Sequence, residues 1–443
     1  MDNLQIWLWK QSKKILVWGL WLLLLVVSGL YFYNTLTGED KSHFIPGKTS
    51  AGHYQIEVEC QQCHNKTFDV IKQESCLACH KEKKRRDSKS NSHRAKLFEA
   101  EDKAEDIKKI PADRCVSCHT EHQIGRAGVT QPADFCIHCH QDIEDDRPSH
   151  KDLPFDECSS CHNYHDNSVN YYQPFIRKHL KPELETLNNS FVLQRNFAAR
   201  YLKKHRPKEL TKDDQNAPVT VDSSKADDWL ASSHAKAGVN CNACHQNKKK
   251  VWLDQPPPEL CKSCHKQELK GFLGGKHGMR LKQKLSPMNT AMARLEMTSH
   301  DKELNCVSCH QAHNFDTNIA AVEACLSCHN DQHSLAYKNS PHFQLWQLQD
   351  NEAPQQGISC AGCHLPRHKK GKKVLVQHNQ NHNLRPSQKM AKDTCINCHS
   401  LTFSIDALAD QQLINNNFST TPHSHITIME MWADYFINSK GVK

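Results

Sequence analysis

The sequence predicts a mostly α-helical and irregular chain with one N-terminal transmembrane helix, little or no β-sheet, and an interior that its own side chains cannot fill. Three observations carry this expectation. No segment sustains the apolar–polar alternation of a strand. Ile15 to Tyr33 is an uncharged run of 19 residues. Only 37% of the 443 residues are hydrophobic, too few for the two or three apolar cores that a chain of this length would otherwise bury.

The apolar run is long enough to cross a bilayer. Lys10, Lys13 and Lys14 precede it, and Trp7, Trp9, Tyr31, Phe32 and Tyr33 flank it as interfacial belts. A cleaved signal peptide would have a shorter apolar region and a small-residue cleavage site, and no Ala-x-Ala follows. Residues 1–40 are therefore expected to form an uncleaved single-pass anchor in the inner membrane. The lysines keep the N-terminus cytoplasmic and leave the rest of the chain in the periplasm.

All 22 cysteines fall in Cys-x-x-Cys pairs, and histidine follows every pair. The pairs are Cys60 and Cys63, Cys76 and Cys79, Cys115 and Cys118, Cys136 and Cys139, Cys158 and Cys161, Cys241 and Cys244, Cys261 and Cys264, Cys306 and Cys309, Cys325 and Cys328, Cys360 and Cys363, and Cys395 and Cys398. A disulfide framework or zinc sites would account for paired cysteines, but neither requires the next residue to be histidine. With 31 histidines in the chain, chance would supply all eleven with a probability on the order of 10⁻¹³. Cys-x-x-Cys-His is the attachment motif of c-type haem. Two thiols add to the vinyl groups as thioethers, and the adjacent imidazole meets the iron. The sequence thus predicts eleven covalent haem c groups, with His64, His80, His119, His140, His162, His245, His265, His310, His329, His364 and His399 as proximal ligands.

Haem also changes the meaning of charge. The formal +8 would invite a nucleic-acid reading, but no nucleic-acid motif accompanies it. Each ferric haem with two ionised propionates adds about −1, bringing the holoprotein to roughly −3. Lys81 to Arg86, Lys248 to Lys250 and Lys369 to Lys373 read as solvated faces or propionate partners.

Twenty histidines remain for the distal positions. His122, His165 and His313 each lie three residues beyond a motif histidine, and His53, His150, His234 and His300 precede a motif by six to eight. His93, His277, His342 and His382 complete the expected ligand set, with His368 and His378 as further candidates. Methionine would raise a haem's potential as an axial ligand, but apart from Met1 every methionine lies at 279 or beyond.

Successive motifs begin 16, 39, 21, 22, 83, 20, 45, 19, 35 and 35 residues apart. The 83-residue interval divides five motifs from six, and both halves open with a close pair, a gap near forty and a second close pair. The expected organisation is an anchor at 1–40, a pentahaem domain at 41–170, a helical segment and linker at 171–228, and a hexahaem domain at 229–443. Helical character is expected within Tyr172 to His205, Lys96 to Lys109 and Ile405 to Leu413, and a polar linker at Lys212 to Asp228. About 36 residues per haem cannot insulate porphyrins from one another, so the haems are expected to pack as near neighbours and conduct electrons.

On these motifs the chain resembles multihaem c-type cytochromes. Its first half resembles the class III cytochromes c and the pentahaem or decahaem periplasmic carriers. The C-terminal quarter runs Ser340-Pro341-His342, Cys360-Ala361-Gly362-Cys363-His364-Leu365-Pro366-Arg367, His382-Asn383-Leu384-Arg385-Pro386 and Cys395-Ile396-Asn397-Cys398-His399. It resembles the cytochrome c nitrite reductase and hydroxylamine oxidoreductase superfamily, in which a histidine near His342 can belong to a catalytic pocket. The lysine-type attachment motif of those nitrite reductases is missing here. Two functions stay open at this point. One is an electron carrier between a quinol-oxidising membrane donor and a periplasmic or outer-membrane acceptor. The other is a terminal reductase of nitrite, hydroxylamine or tetrathionate type, with one open haem in the C-terminal half. A subunit that docks several cytochromes is a third expectation.

Overall fold

The computed structural model describes residues 3–38, 44–45, 47–50, 52–65, 69–80, 115–117, 119, 121–122, 142–146, 150, 162–163, 168–169, 173–179, 208, 210–218, 222–294, 297–298, 302–347, 358–370, 373–384 and 389–423. Two compact units are present: Met1–Glu82 with Lys109–Gln131, and Lys83–Lys108 with Pro132–Lys443. Beyond one long N-terminal helix in the first, short helices and irregular coil dominate the described residues of both.

The N-terminal helix is longer than the apolar run that predicts it, reaching from Asn3 to Thr37. Gln11–Thr37 is long and apolar enough to cross a membrane, with a mean hydropathy of 2.3 and none of it buried. At its ends, hydroxyls turn back onto helix carbonyls. Ser12 donates to the Trp9 carbonyl, and Thr35 and Thr37 donate to those of Tyr31 and Tyr33.

Described Cys-x-x-Cys-His segments are built on a helical turn. His64, His119, His265, His329 and His399 donate their amides to the carbonyl of the first cysteine of their own motif, at 2.7 to 2.9 Å. That turn puts cysteines three apart on one face with the histidine beside them. Several turns start at a cap one residue before the first cysteine: Asn240 accepts from Ala243 N, Asn305 from Val307 N and Ser308 N, and Ser359 from Gly362 N.

Apolar packing is local. In the second unit Ile176, Met390, Ala391, Ile396, Leu401, Ile405 and Leu408 form one buried cluster, and Ala321, Val322 and Tyr337 a smaller one. Ile176 belongs to the helix Gln173–His179, the described part of the helical stretch expected at 172–205. Leu401–Ala409 and Gln411–Asn415 realise the helix expected near 405–413. The stretch Lys96 to Lys109 lies outside the described residues.

The polar segment Lys212 to Asp228 differs from its reading as a linker. A short 3-10 helix spans Lys212–Gln215, and an α-helix spans Ser223–Ala231. Composition concealed the second because the residues that make it, an Asp222 cap accepting from Ser224 N and a buried Trp229, are few. The Trp229 indole donates to the Val239 carbonyl at 2.9 Å and ties the helix to the next motif. Two antiparallel two-stranded hairpins are the only strands among the described residues: His162–Asn163 with Ser168–Val169, and Arg367–Lys370 with Lys373–Val376.

Candidate functional site: paired imidazoles

Nine motif histidines each face one histidine from elsewhere in the chain. His64 faces His122 with ring centres 6.5 Å apart, His80 faces His53 at 6.0 Å, and His162 faces His150 at 6.0 Å. His245 faces His313 and His265 faces His234, both at 5.9 Å. His310 and His378, His329 and His277, and His399 and His342 are each 6.2 Å apart, and His364 and His333 are 6.1 Å apart. Two imidazoles bound to one metal at about 2.0 Å, with ring centres roughly 1.1 Å behind the ligating nitrogens, would stand about 6 Å apart. The spacing fits an iron between each pair.

Hydrogen bonds to the other ring nitrogen fix which atom faces inward. The Nδ1 atoms of His64, His122, His245, His333 and His378 lie 2.6, 3.0, 2.7, 2.5 and 3.0 Å from the carbonyls of Asp69, Gly47, Leu253, Ile414 and Val376. A carbonyl only accepts, so Nδ1 carries the proton and Nε2 keeps its lone pair for a metal. His53 differs, because its Nδ1 meets the Glu121 carboxylate at 2.7 Å. Burial would raise the Glu121 carboxyl, but bonds from His53 and Ser50 outweigh it and hold it down to about 2. Burial, reinforced by the facing imidazole, pushes His277, His310 and His364 down to about 4. They are neutral at ordinary pH, as metal ligation requires. Trp252 stacks on His245 at 4.8 Å and Phe403 on His399 at 4.7 Å, holding these rings in place.

Thiols of successive motifs are neighbours. Cys76 lies in hydrogen-bonding contact with Cys115, Cys261 with Cys306, and Cys325 with Cys360. Burial, reinforced by nearby Cys325 and Cys328, raises Cys309 to about 11. The same combination acts on Cys63 through burial and nearby Glu121 and Cys79, on Cys244 through Cys261, and on Cys363 through Cys395 and Cys398. Within each unit, the described motifs adjoin in the order in which the chain writes them. None of the described cysteines is in a disulfide.

Of the expected distal set, His53, His122, His150, His234, His277, His313 and His342 each face a motif imidazole. His93, His140, His165 and His300, with Cys118, Cys136, Cys139, Cys158 and Cys161, lie outside the described residues. His382 is placed differently: its Nε2 lies 3.5 Å from the Asp393 carboxylate. The imidazoles that face His310 and His364 are His378, a lesser candidate, and His333, which spacing did not single out. His333 lies four residues past a motif histidine rather than three, and it is held by Ile414, 81 residues away. No short-range signal could have found it.

Comparison with known families agrees with this geometry. Residues 52–141 and 233–321 each match the cytochrome c3 family model, and residues 330–421 match that of cytochrome c552. The chain is a multihaem c-type cytochrome. No curated protein matches the sequence.

The two cytochrome c3 matches contain the same pattern of facing imidazoles. In each copy of the cytochrome's repeated element, a histidine seven residues before the first motif (His53, His234) faces the second motif's histidine (His80, His265). A histidine three beyond the third motif's histidine (His122, His313) faces that of the first (His64, His245). His122 and His313 even share a left-handed backbone, with φ of 63° and 74°.

Proposed function

We propose that this cytochrome attaches eleven haems and relays electrons from a quinol-oxidising membrane donor to a periplasmic or outer-membrane acceptor. Bound haem supplies a one-electron iron couple. The chain's part is to hold each iron between two imidazoles and to keep successive attachment sites in contact. The observation that carries the reading is the set of nine facing imidazole pairs, each joining a motif histidine to a distant one. Contact between consecutive motif thiols supports a conductor over a set of isolated centres.

The alternative, a terminal reductase, needs one iron with a free face in the C-terminal half. All six motif histidines there face a second imidazole, which favours the carrier. In the first half, His93 follows the second motif's histidine by 13 residues, close to the 12 by which His277 follows His265. His277 faces the histidine of its copy's fourth motif, so His93 is proposed to serve His140. The five-plus-six haem division at 41–170 and 229–443 belongs to the same proposal. So does an uncleaved single-pass anchor in the inner membrane that leaves the haem-bearing body in the periplasm.

Mass analysis of the purified holoprotein should give eleven haems. EPR of its oxidised form should show only low-spin ferric signals, unmoved by nitrite or hydroxylamine. A high-spin signal that shifts with either compound would replace the carrier with the reductase.

A further inference from the structure

The two copies of the repeated element match in ligands and differ behind one of them. In the first copy, Glu121 lies two residues after His119 and one before His122. Its Oε1 meets His53 Nδ1 at 2.7 Å and accepts from the Ser50 hydroxyl at 2.9 Å, while Oε2 accepts from the Ser50 amide at 2.6 Å. In the second copy the same offset from the third motif gives Ala312, and the same offset before the distal histidine gives Ala231. Both side-chain partners are thus absent. The counterpart histidine, His234, has its Nδ1 buried with no hydrogen-bond partner. Phe315 covers that ring instead, with centres 4.4 Å apart.

We propose that Glu121 is a positioning residue that sets the two copies apart in redox potential, making the haem held by His53 and His80 more reducing than the one held by His234 and His265. The proposal rests on the ligand roles proposed above. A carboxylate is a stronger acceptor than a carbonyl and draws the Nδ1 proton toward itself. The ring gains negative charge, Nε2 becomes a better donor to the iron, and the more positive ferric state is favoured over the ferrous. His64, His122, His245, His333 and His378 have backbone carbonyls behind Nδ1, and His329 stands 3.7 Å from the Asp331 carboxylate, beyond hydrogen-bonding range. Within the first copy, His64 and His122 both give Nδ1 to carbonyls, so their haem is an internal reference.

The test is a potentiometric titration of the intact holoprotein, followed by visible and EPR spectra, in wild type, Glu121→Gln and Ser50→Ala. Glutamine keeps an oxygen for His53 and removes the charge. One haem should become easier to reduce by about tenfold in its one-electron equilibrium constant, or 59 mV, and remain low-spin. Ser50→Ala removes the hydroxyl that shares Oε1 and leaves the carboxylate to His53. The same haem should then move the opposite way, by about threefold. A simple packing defect would not give opposite signs. Unchanged potentials in Glu121→Gln with every haem low-spin would overturn the proposal and leave the ligand assignments standing. Shifts of one sign in both variants, or a high-spin haem in Glu121→Gln, would overturn it too. A wild type without low-spin signals would instead overturn the ligand assignments beneath it.

Discussion

The element spanning His53 to His122 and the one spanning His234 to His313 pair their imidazoles by one scheme and reach it through different surroundings. Around His53 the support is polar: Ser50 and Glu121 bind the ring from behind, and Thr49 donates to Glu57 nearby. Around His234 it is apolar, with Trp229 buried, Ala235 buried and Phe315 against the ring. Ligand geometry follows from the spacing of histidines about the motifs. The electrostatic environment of each iron is set by neighbours that the spacing does not constrain, so a duplicated element can keep its wiring and diverge in potential.

The harshest challenge to that equivalence is to remove each distal ligand. His53→Ala and His234→Ala should each convert one haem of the set from low-spin to high-spin, read by EPR of the oxidised protein. A variant with no high-spin signal would end the equivalence at that position. Transplanting the difference is the next test. Ala312→Glu places a carboxylate where the first copy has Glu121. It should make the haem of His234 and His265 harder to reduce by up to about tenfold, seen in the same potentiometric titration. A smaller effect is expected from Trp229→Ala. Loss of a buried indole costs about 3 kcal/mol, and native-state hydrogen exchange should show lowered protection in 223–240 with the first copy unaffected. Smallest is Asp222→Ala, which removes the cap accepting from Ser224 N and should cost about 1 kcal/mol, confined to the helix Ser223–Ala231 by the same measurement.

His333 and His382 show where reading a sequence stops. Both are histidines in the C-terminal quarter, and only His382 lies within one of the short motifs that carried the resemblance. The fold turns His382 toward Asp393 and brings His333 opposite His364. His333 is placed by the Ile414 carbonyl and by Asn417, whose amide donates to its backbone carbonyl at 2.9 Å. Both contacts come from the last described helix and the turn that follows it. His378 is a similar case: it meets His310 from just beyond a short basic hairpin, 68 residues away along the chain.

Haem attachment was legible because it is local chemistry. Two cysteines and a histidine within five residues make one helical turn, and the thioethers need nothing else. The N-terminal helix was legible for a similar reason, since length and apolarity act along one segment. Distal histidines that keep a fixed offset from a motif, such as His53, His122, His234 and His313, carried part of that local signal. Partners such as His333 and His378, and the carboxylate behind His53, depend on segments tens of residues apart meeting within a hydrogen bond's reach. Only the packed chain decides which of twenty spare histidines completes an iron site. The reason is that an imidazole's role is set by what binds its far nitrogen, and that partner comes from elsewhere in the fold.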